Sequence, residues 1–325
     1  MEKQNRQVYI EYLQAFAIIS VFLGHALRIY YSGGWYFHRA DVNIVCDILD
    51  KIIYSFHMPL FVFLSGYLFF INKEKVSSAF DYIKKRTKRL LLPFFVAGFL
   101  YVLPMICIIN PLEKSYLFYY QQFLNLKSCW HLWFLPMLYI VTVIFTLIIF
   151  KFKNYSKKWL LLILIALNLI NISGPQSCIY SVPKYLIYFY MGCLAVEYKD
   201  LLLKIISKSF LGILFLFFIL EILLYFYPRI SLLILLVAVL AISILYYISI
   251  KISEKKAKTG LVAGFLSENL FMVYILHEPI MALILKNIDW GNSFPAFYSS
   301  NILFFGTLAI CVVLICVYNK IFNKI

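Results

Sequence analysis

The sequence predicts an all-α polytopic membrane protein: about ten transmembrane helices in one bundle, with both termini cytoplasmic. Three observations lead there. The 325-residue chain is 63% hydrophobic and only 14% charged, with a mean hydropathy of +0.86. A soluble domain is nearer half apolar and a quarter charged, so this chain has more apolar surface than a globular core could hide. Ten segments approach the ~20 mostly apolar residues that a span requires. Lysine and arginine fall in alternate loops, as they do when basic loops stay in the cytosol. Aromatic residues, 19% of the chain, gather where the helices should leave the bilayer.

Taken in order, the first segment is 8–29, containing "AFAIISVFLGHALRIY". It has no small-x-small cleavage site and is long enough to stay as a helix, so no cleaved signal peptide is expected. Residues 39–51, "RADVNIVCDILDK", read as a short amphipathic helix in the loop that follows. The second span, 51–72, carries Pro59 beside His57, and Ser65-Gly66 permits close helix contact. The third, 90–110, is approached through "YIKKRTKRLLLP". The fourth, 131–150, opens on the interfacial cluster "CWHLWFLPML". The fifth, 159–173, is short, and the sixth, 182–198, contains Lys184 and Glu197. Segments 209–227 and 230–250 qualify on apolar length. The ninth, 264–285, holds "LSENLFMVYILHEPI" at its start, and the tenth is 298–319. No internal repeat or soluble domain interrupts the series, so 1–325 reads as a single transmembrane domain.

With the N-terminus inside, 22 of the 30 lysines and arginines fall on the inner side, and every inner loop is more basic than the outer loop after it. The net charge of +15 is then mostly a topology signal, and no nucleic-acid partner is expected because no soluble basic domain exists. The location implied is the cytoplasmic membrane. The seven cysteines have no metal-ligand spacing. Cys46, Cys129 and Cys178 fall in or beside outer loops; they are one disulfide among the three or simply three bystanders.

Lipid solvates imidazole poorly, so the histidines are informative. His25, His57, His131 and His277 all fall within ~15 Å of the outer boundary by helix rise, and His38 lies in an outer loop. Gln14 and His25 are about three turns apart and within ~20° of one line, with Glu11 within ~40° of it. Glu11, Gln14 and His25 therefore form a polar stripe ~20 Å long that should face the bundle interior or a wet cavity. The plain alternative is a stripe that hydrogen-bonds neighbouring helices. In the ninth segment Glu278 follows His277, but adjacent residues point about 100° apart, so the two need not touch. Arg86 and Arg89 suit forked contacts to a cytosolic polyphosphate; the alternative is a stop-transfer cluster against anionic lipid. For Trp130 and Trp133 the alternative is an aromatic belt.

The chain resembles the membrane acyltransferase-3 family, the integral-membrane O-acyltransferases of bacterial surface glycans. "YIEYLQAFAIISVFLGH" is similar to that family's opening helix, "FHMPLFVFLSGYLF" to its second, and "KKRTKRLLLPF" to its basic approach to the third. "HLWFLPMLYIV", "YFYMGCLAVEY" and "NLFMVYILHEPI" resemble later helices, and the likeness covers nearly the whole chain. One departure is notable: Gln14 stands where the family has arginine, eleven residues before His25. Glutamine keeps hydrogen bonding and loses the charge.

The resemblance implies transfer of an acyl group, expected to be acetyl, from acyl-CoA to a hydroxyl of a cell-surface or lipid-linked glycan. Acetyl-CoA is then a co-substrate, with no bound cofactor and no metal. His25 matches the family's essential histidine and is expected to act as general base or as an acyl carrier. His57, His131, His277 and Glu278 are the catalytic assistants expected around it. Arg86 and Arg89 would hold the donor's phosphates, and the Glu11–Gln14 stripe would line the pantetheine path. Trp130 and Trp133 are acceptor-site candidates. The competing class is an exporter or flippase of a lipid-linked sugar or small acid, or a catalytically degenerate relative.

Overall fold

A backbone in hydrocarbon has to satisfy its own hydrogen bonds, and all regular structure among the described residues of the computed structural model is helical. Those residues are 2–32, 41–75, 78–109, 115–127, 129–152, 155–170, 178–256, 258–287 and 295–322. Nine helices in them are long and apolar enough to cross a membrane. They are α1 (Val8–Tyr30), α2 (Ile44–Asn72), α3 (Ala79–Ile108), α5 (Trp130–Lys151), α7 (Cys178–Glu197), α8 (Lys199–Phe226), α9 (Ser231–Lys255), α11 (Leu270–Asn287) and α12 (Ala296–Ile321). Three shorter helices complete the set: α4 (Tyr116–Leu124), α6 (Lys157–Leu169) and α10 (Leu261–Glu268). His38 lies outside the described residues.

Three expectations are corrected. The loop helix at 39–51 is not separate; from Ile44 it is continuous with α2. Its polar face explains this. Asp47 and Asp50 are buried, while Ile44, Val45, Ile48 and Leu49 are exposed. The expected ninth span is broken at Asn269, whose backbone leaves helical geometry (φ −104°, ψ 15°) while its Nδ2, at 2.9 Å, and its own backbone N–H, at 3.0 Å, both donate to the Phe265 carbonyl. The expected fifth span is a helix of 13 residues, about 20 Å by helix rise and short of a full hydrocarbon crossing.

That short helix nevertheless runs along α7. Lys157 at its start pairs with Glu197 at the end of α7, and Asn168 near its end donates to the Lys184 carbonyl at 2.7 Å. α5 runs the same way as α7, because Trp133 meets Tyr185 while Phe145 stacks on Phe189 at 4.8 Å. The directions of α5, α6 and α7 therefore alternate.

The chain forms two compact units, Met1–Met58 with Ile206–Pro228 and Leu236–Ile325, and Pro59–Ile205 with Arg229–Leu235. In the first, α1 packs on α10, α11 and α12. Ala26, Leu27, Ile29 and Tyr30 of α1 close a buried cluster with Cys46, Ile53, Met281, Leu285 and Leu303. In the second, α5 packs between α3 and α7. There α2 lies directly on α7: a Cβ at Gly66 would fall on the Phe189 carbonyl, and one at Gly192 on the Phe63 carbonyl. α3 opens on a Ser78 cap that accepts from the Asp81 amide at 3.1 Å and includes π-helical turns at Thr87–Leu91 and Gly98–Val102.

Candidate active site

α1 is fixed at its N-terminal half by polar bonds to the segment that leads into α10 and to α10 itself. Thr259 donates to Glu11, the Gly260 amide donates to the Tyr12 hydroxyl at 3.0 Å, and the Ser267 hydroxyl donates to Gln14 Oε1 at 2.6 Å. Glu11 and Gln14 thus have interhelical partners, which is the alternative reading of the polar stripe. His25, near the C-terminal end of the helix, is placed differently. Gly24 beside it is packed tightly, since a Cβ there would come within 3.1 Å of Ile53 and Tyr54. This closeness brings α2 up to the histidine, and the Tyr54 ring lies 6.3 Å from that of His25.

The decisive neighbours come from α11. The His25 and His277 rings have centroids 5.1 Å apart, and Phe22, one turn before His25, stacks on His277 at 5.1 Å. The ligand-capable atoms of His25, His277 and Glu278 all lie within 4.8 Å of one another. His277 and Glu278 are adjacent in sequence, and the structure nonetheless turns both toward His25. Both are fully enclosed, at 0% and 1% exposure. His277 Nδ1 lies 2.6 Å from the Tyr274 carbonyl, which can only accept. The proton is therefore on Nδ1, and Nε2 is left as the basic nitrogen. Two imidazoles and a carboxylate at this spacing can pass and hold a proton. They are also a donor set that a divalent cation takes.

A second polar group sits just beyond. The Arg28 guanidinium pairs with Asp50 at 2.6 Å and lies over the rings of Tyr31 and Tyr54, at 4.1 and 4.0 Å. Tyr54 in turn packs edge-on to His57 at 4.6 Å. His57 donates from Nδ1 to the Ile53 carbonyl at 2.9 Å, which likewise makes Nε2 its basic nitrogen. Ser55 donates to the buried carboxylate of Glu221 at 2.7 Å. Arg28, Asp50, Tyr54 and Glu221 were not among the expected site residues. Glu221 had a sequence signal, a single acid inside "FLFFILEILLYF", and an ionisable residue inside a span is a functional candidate by default. Asp50 was hidden by its assignment to a loop.

The remaining expected residues belong to the second unit. His131 is buried in the turn Trp130–Trp133. Trp130 packs on Tyr119 at 5.9 Å and Trp133 on Tyr185 at 5.8 Å, so both rings have protein partners. Arg86 donates from Nε to the Tyr82 hydroxyl at 2.8 Å, and Arg89 is exposed. Arg86 immediately precedes the first π-helical turn of α3 and Arg89 lies within it, where the side-chain register shifts; such turns recur at functional sites.

A family model described as an acyltransferase domain, that of the acyltransferase-3 family, matches residues 7–318, nearly the whole chain. The chain belongs to that family. No curated protein and no solved structure matches it.

Proposed function

We propose that this membrane O-acyltransferase moves an acyl group, acetyl as the expected one, from acyl-CoA to a hydroxyl of a cell-surface or lipid-linked glycan at the cytoplasmic membrane, with His25 as the general base. The observation that carries this reading is the convergence of His277 and Glu278 on the histidine that matches the family's essential one. His25 removes the acceptor's hydroxyl proton as the oxygen attacks the thioester carbonyl. The carbon–sulfur bond then breaks, and the imidazolium returns its proton to the leaving thiolate. The imidazolium is a positive charge created in a poorly solvated site, and the Glu278 carboxylate is near enough to offset it. The basic Nε2 of His277 is suited to accept a hydrogen bond and so to set the tautomer of His25.

The donor's phosphates are assigned to Arg86 and Arg89, and the acceptor to the neighbourhood of Trp130 and Trp133, with His57 and His131 as auxiliary proton carriers. The test is release of free thiol from acetyl-CoA by the purified protein in lipid discs, with and without a glycan acceptor. Cleavage stimulated by the acceptor and insensitive to a metal chelator supports the reading. Cleavage abolished by chelation and restored by zinc would reassign His25, His277 and Glu278 to a metal.

One observation favours a second reading. Gln14 replaces the family's arginine and is already bonded to Ser267. An exporter or flippase, or a degenerate relative, would keep the fold and leave the thioester intact, so absence of thiol release under all conditions would favour it.

A further inference from the structure

We propose that Cys129 and Cys178 form a disulfide on the outer side of the membrane, tying the Trp130–Trp133 turn to the start of α7. The sequence left Cys46, Cys129 and Cys178 undivided, and the structure separates them. Cys129 and Cys178 are 49 positions apart in sequence, yet their side chains are close enough to interact. Both sulfurs also rest on carbonyls of one turn: Cys129 Sγ lies 4.0 Å from the Phe123 oxygen, and Cys178 Sγ 3.9 Å from the Leu126 oxygen. Cys46 faces Ser300 instead, and Cys193 bonds the Gly66 carbonyl at 3.5 Å.

The turn that brings the two thiols together is unusual. Leu126 and Trp130 have φ of 54° and 45°, the only positive values on non-glycine residues among those described. Side chains other than glycine enter this region at a cost, so a turn with two of them needs an outside constraint to persist. A covalent link from Cys129, between the two, to α7 is such a constraint. The Lys and Arg distribution puts both cysteines at the outer boundary, where disulfides persist.

The step is an exchange with an organic disulfide, either an oxidised thiol–disulfide oxidoreductase or oxidised glutathione. Each cysteine gives up its thiol proton, two electrons pass to the acceptor's S–S bond, the Sγ–Sγ bond forms, and the acceptor leaves as two thiols. Both residues are only 2–3% exposed in the folded protein. Exchange therefore precedes closure of the turn, and the finished bond is shielded from reductants.

The test uses the full chain, alkylated in denaturant without reduction. The bonded protein gives five modified cysteines of seven, rising to seven after reduction, with a linked 129–178 peptide that disappears on reduction. Membranes that yield seven at once are then solubilised, partly unfolded and refolded with oxidised glutathione. Formation of the 129–178 link in either sample supports the proposal. Absence of the link from both, or a link to Cys46 in its place, overturns it. Cys129→Ser should leave Cys178 alkylatable without reduction; if Cys178 stays blocked in that variant, the pairing is wrong.

Discussion

α2 meets two different partners along its length. Its C-terminal half, in the second unit, lies on α7 through Gly66 and Gly192, with no room for a side chain and with Phe69 and Phe145 packed on Phe189. Its N-terminal half, in the first unit, presents Asp50, Tyr54, Ser55 and His57 to charged and titratable partners. The first is the usual way to join helices in lipid, where small residues allow backbones to approach and dispersion does the rest. The second is costly in lipid and persists where the polar groups have work to do. The contrast divides the protein into positions that hold helices together and positions that hold reactive groups, and it says how each should fail.

The seam should fail completely. Gly66→Leu places a side chain on the Phe189 carbonyl, an atom that cannot move without displacing α7. The expected result is loss of folded protein, read as absence of a monodisperse peak after solubilisation. Recovery of folded, active Gly66→Leu would mean that α2 and α7 do not approach as described.

The polar network should fail partially. Removing one partner of a buried ion pair costs about 3–5 kcal/mol, and Arg28, partly open to solvent, recovers some of it. Asp50→Ala should therefore cost on the order of 2 kcal/mol and lower the unfolding temperature while the protein still folds. Activity should fall as well, because Arg28 would no longer be held against Tyr54. An unchanged melting curve would show the pair to be idle.

Smaller effects are expected at the remaining candidates. Arg86→Ala combined with Arg89→Ala should raise KM for acetyl-CoA more than it lowers kcat, since contacts to the donor's phosphates are made in the ground and transition states alike. Insertion should survive on Lys84, Lys85 and Lys88. Unchanged acetyl-CoA dependence would leave these cations to topology alone. Ser267→Ala removes one hydrogen bond to Gln14, worth about 1 kcal/mol. It should shift the unfolding temperature slightly and leave activity near wild type. A large loss of activity would show the Gln14 contact to be part of the site.

What the sequence could reveal follows the same division. Apolar length and cation placement are local signals, and they located nine spans and the short α6. The 39–51 segment was misplaced because a span with two acids looks like a loop until Asp47 and Asp50 find Lys51 and Arg28. The break at Asn269 turned on the backbone angles of one residue, which apolar length does not report. His25 could be singled out from its helix and from the family pattern. Its partners could not be, because 252 residues separate His25 from His277 and helix geometry alone does not bring Glu278 to the same side. Glu11 and Gln14 were legible as a polar stripe, but periodicity does not say whether a stripe faces water or a serine.

The central claim is that His25, with His277 and Glu278 around it, is where the acyl group is transferred. It is tested most directly by measuring acetyl transfer for His25→Ala in lipid discs, beside its melting curve. A general base contributes about 10²–10⁴ in rate, so transfer should fall by that range or more, with unfolding temperature and insertion unchanged. A well-folded His25→Ala protein that acetylates its acceptor at the wild-type rate, and restores the surface glycan of a deletion strain, would contradict the account and make His25 a structural residue.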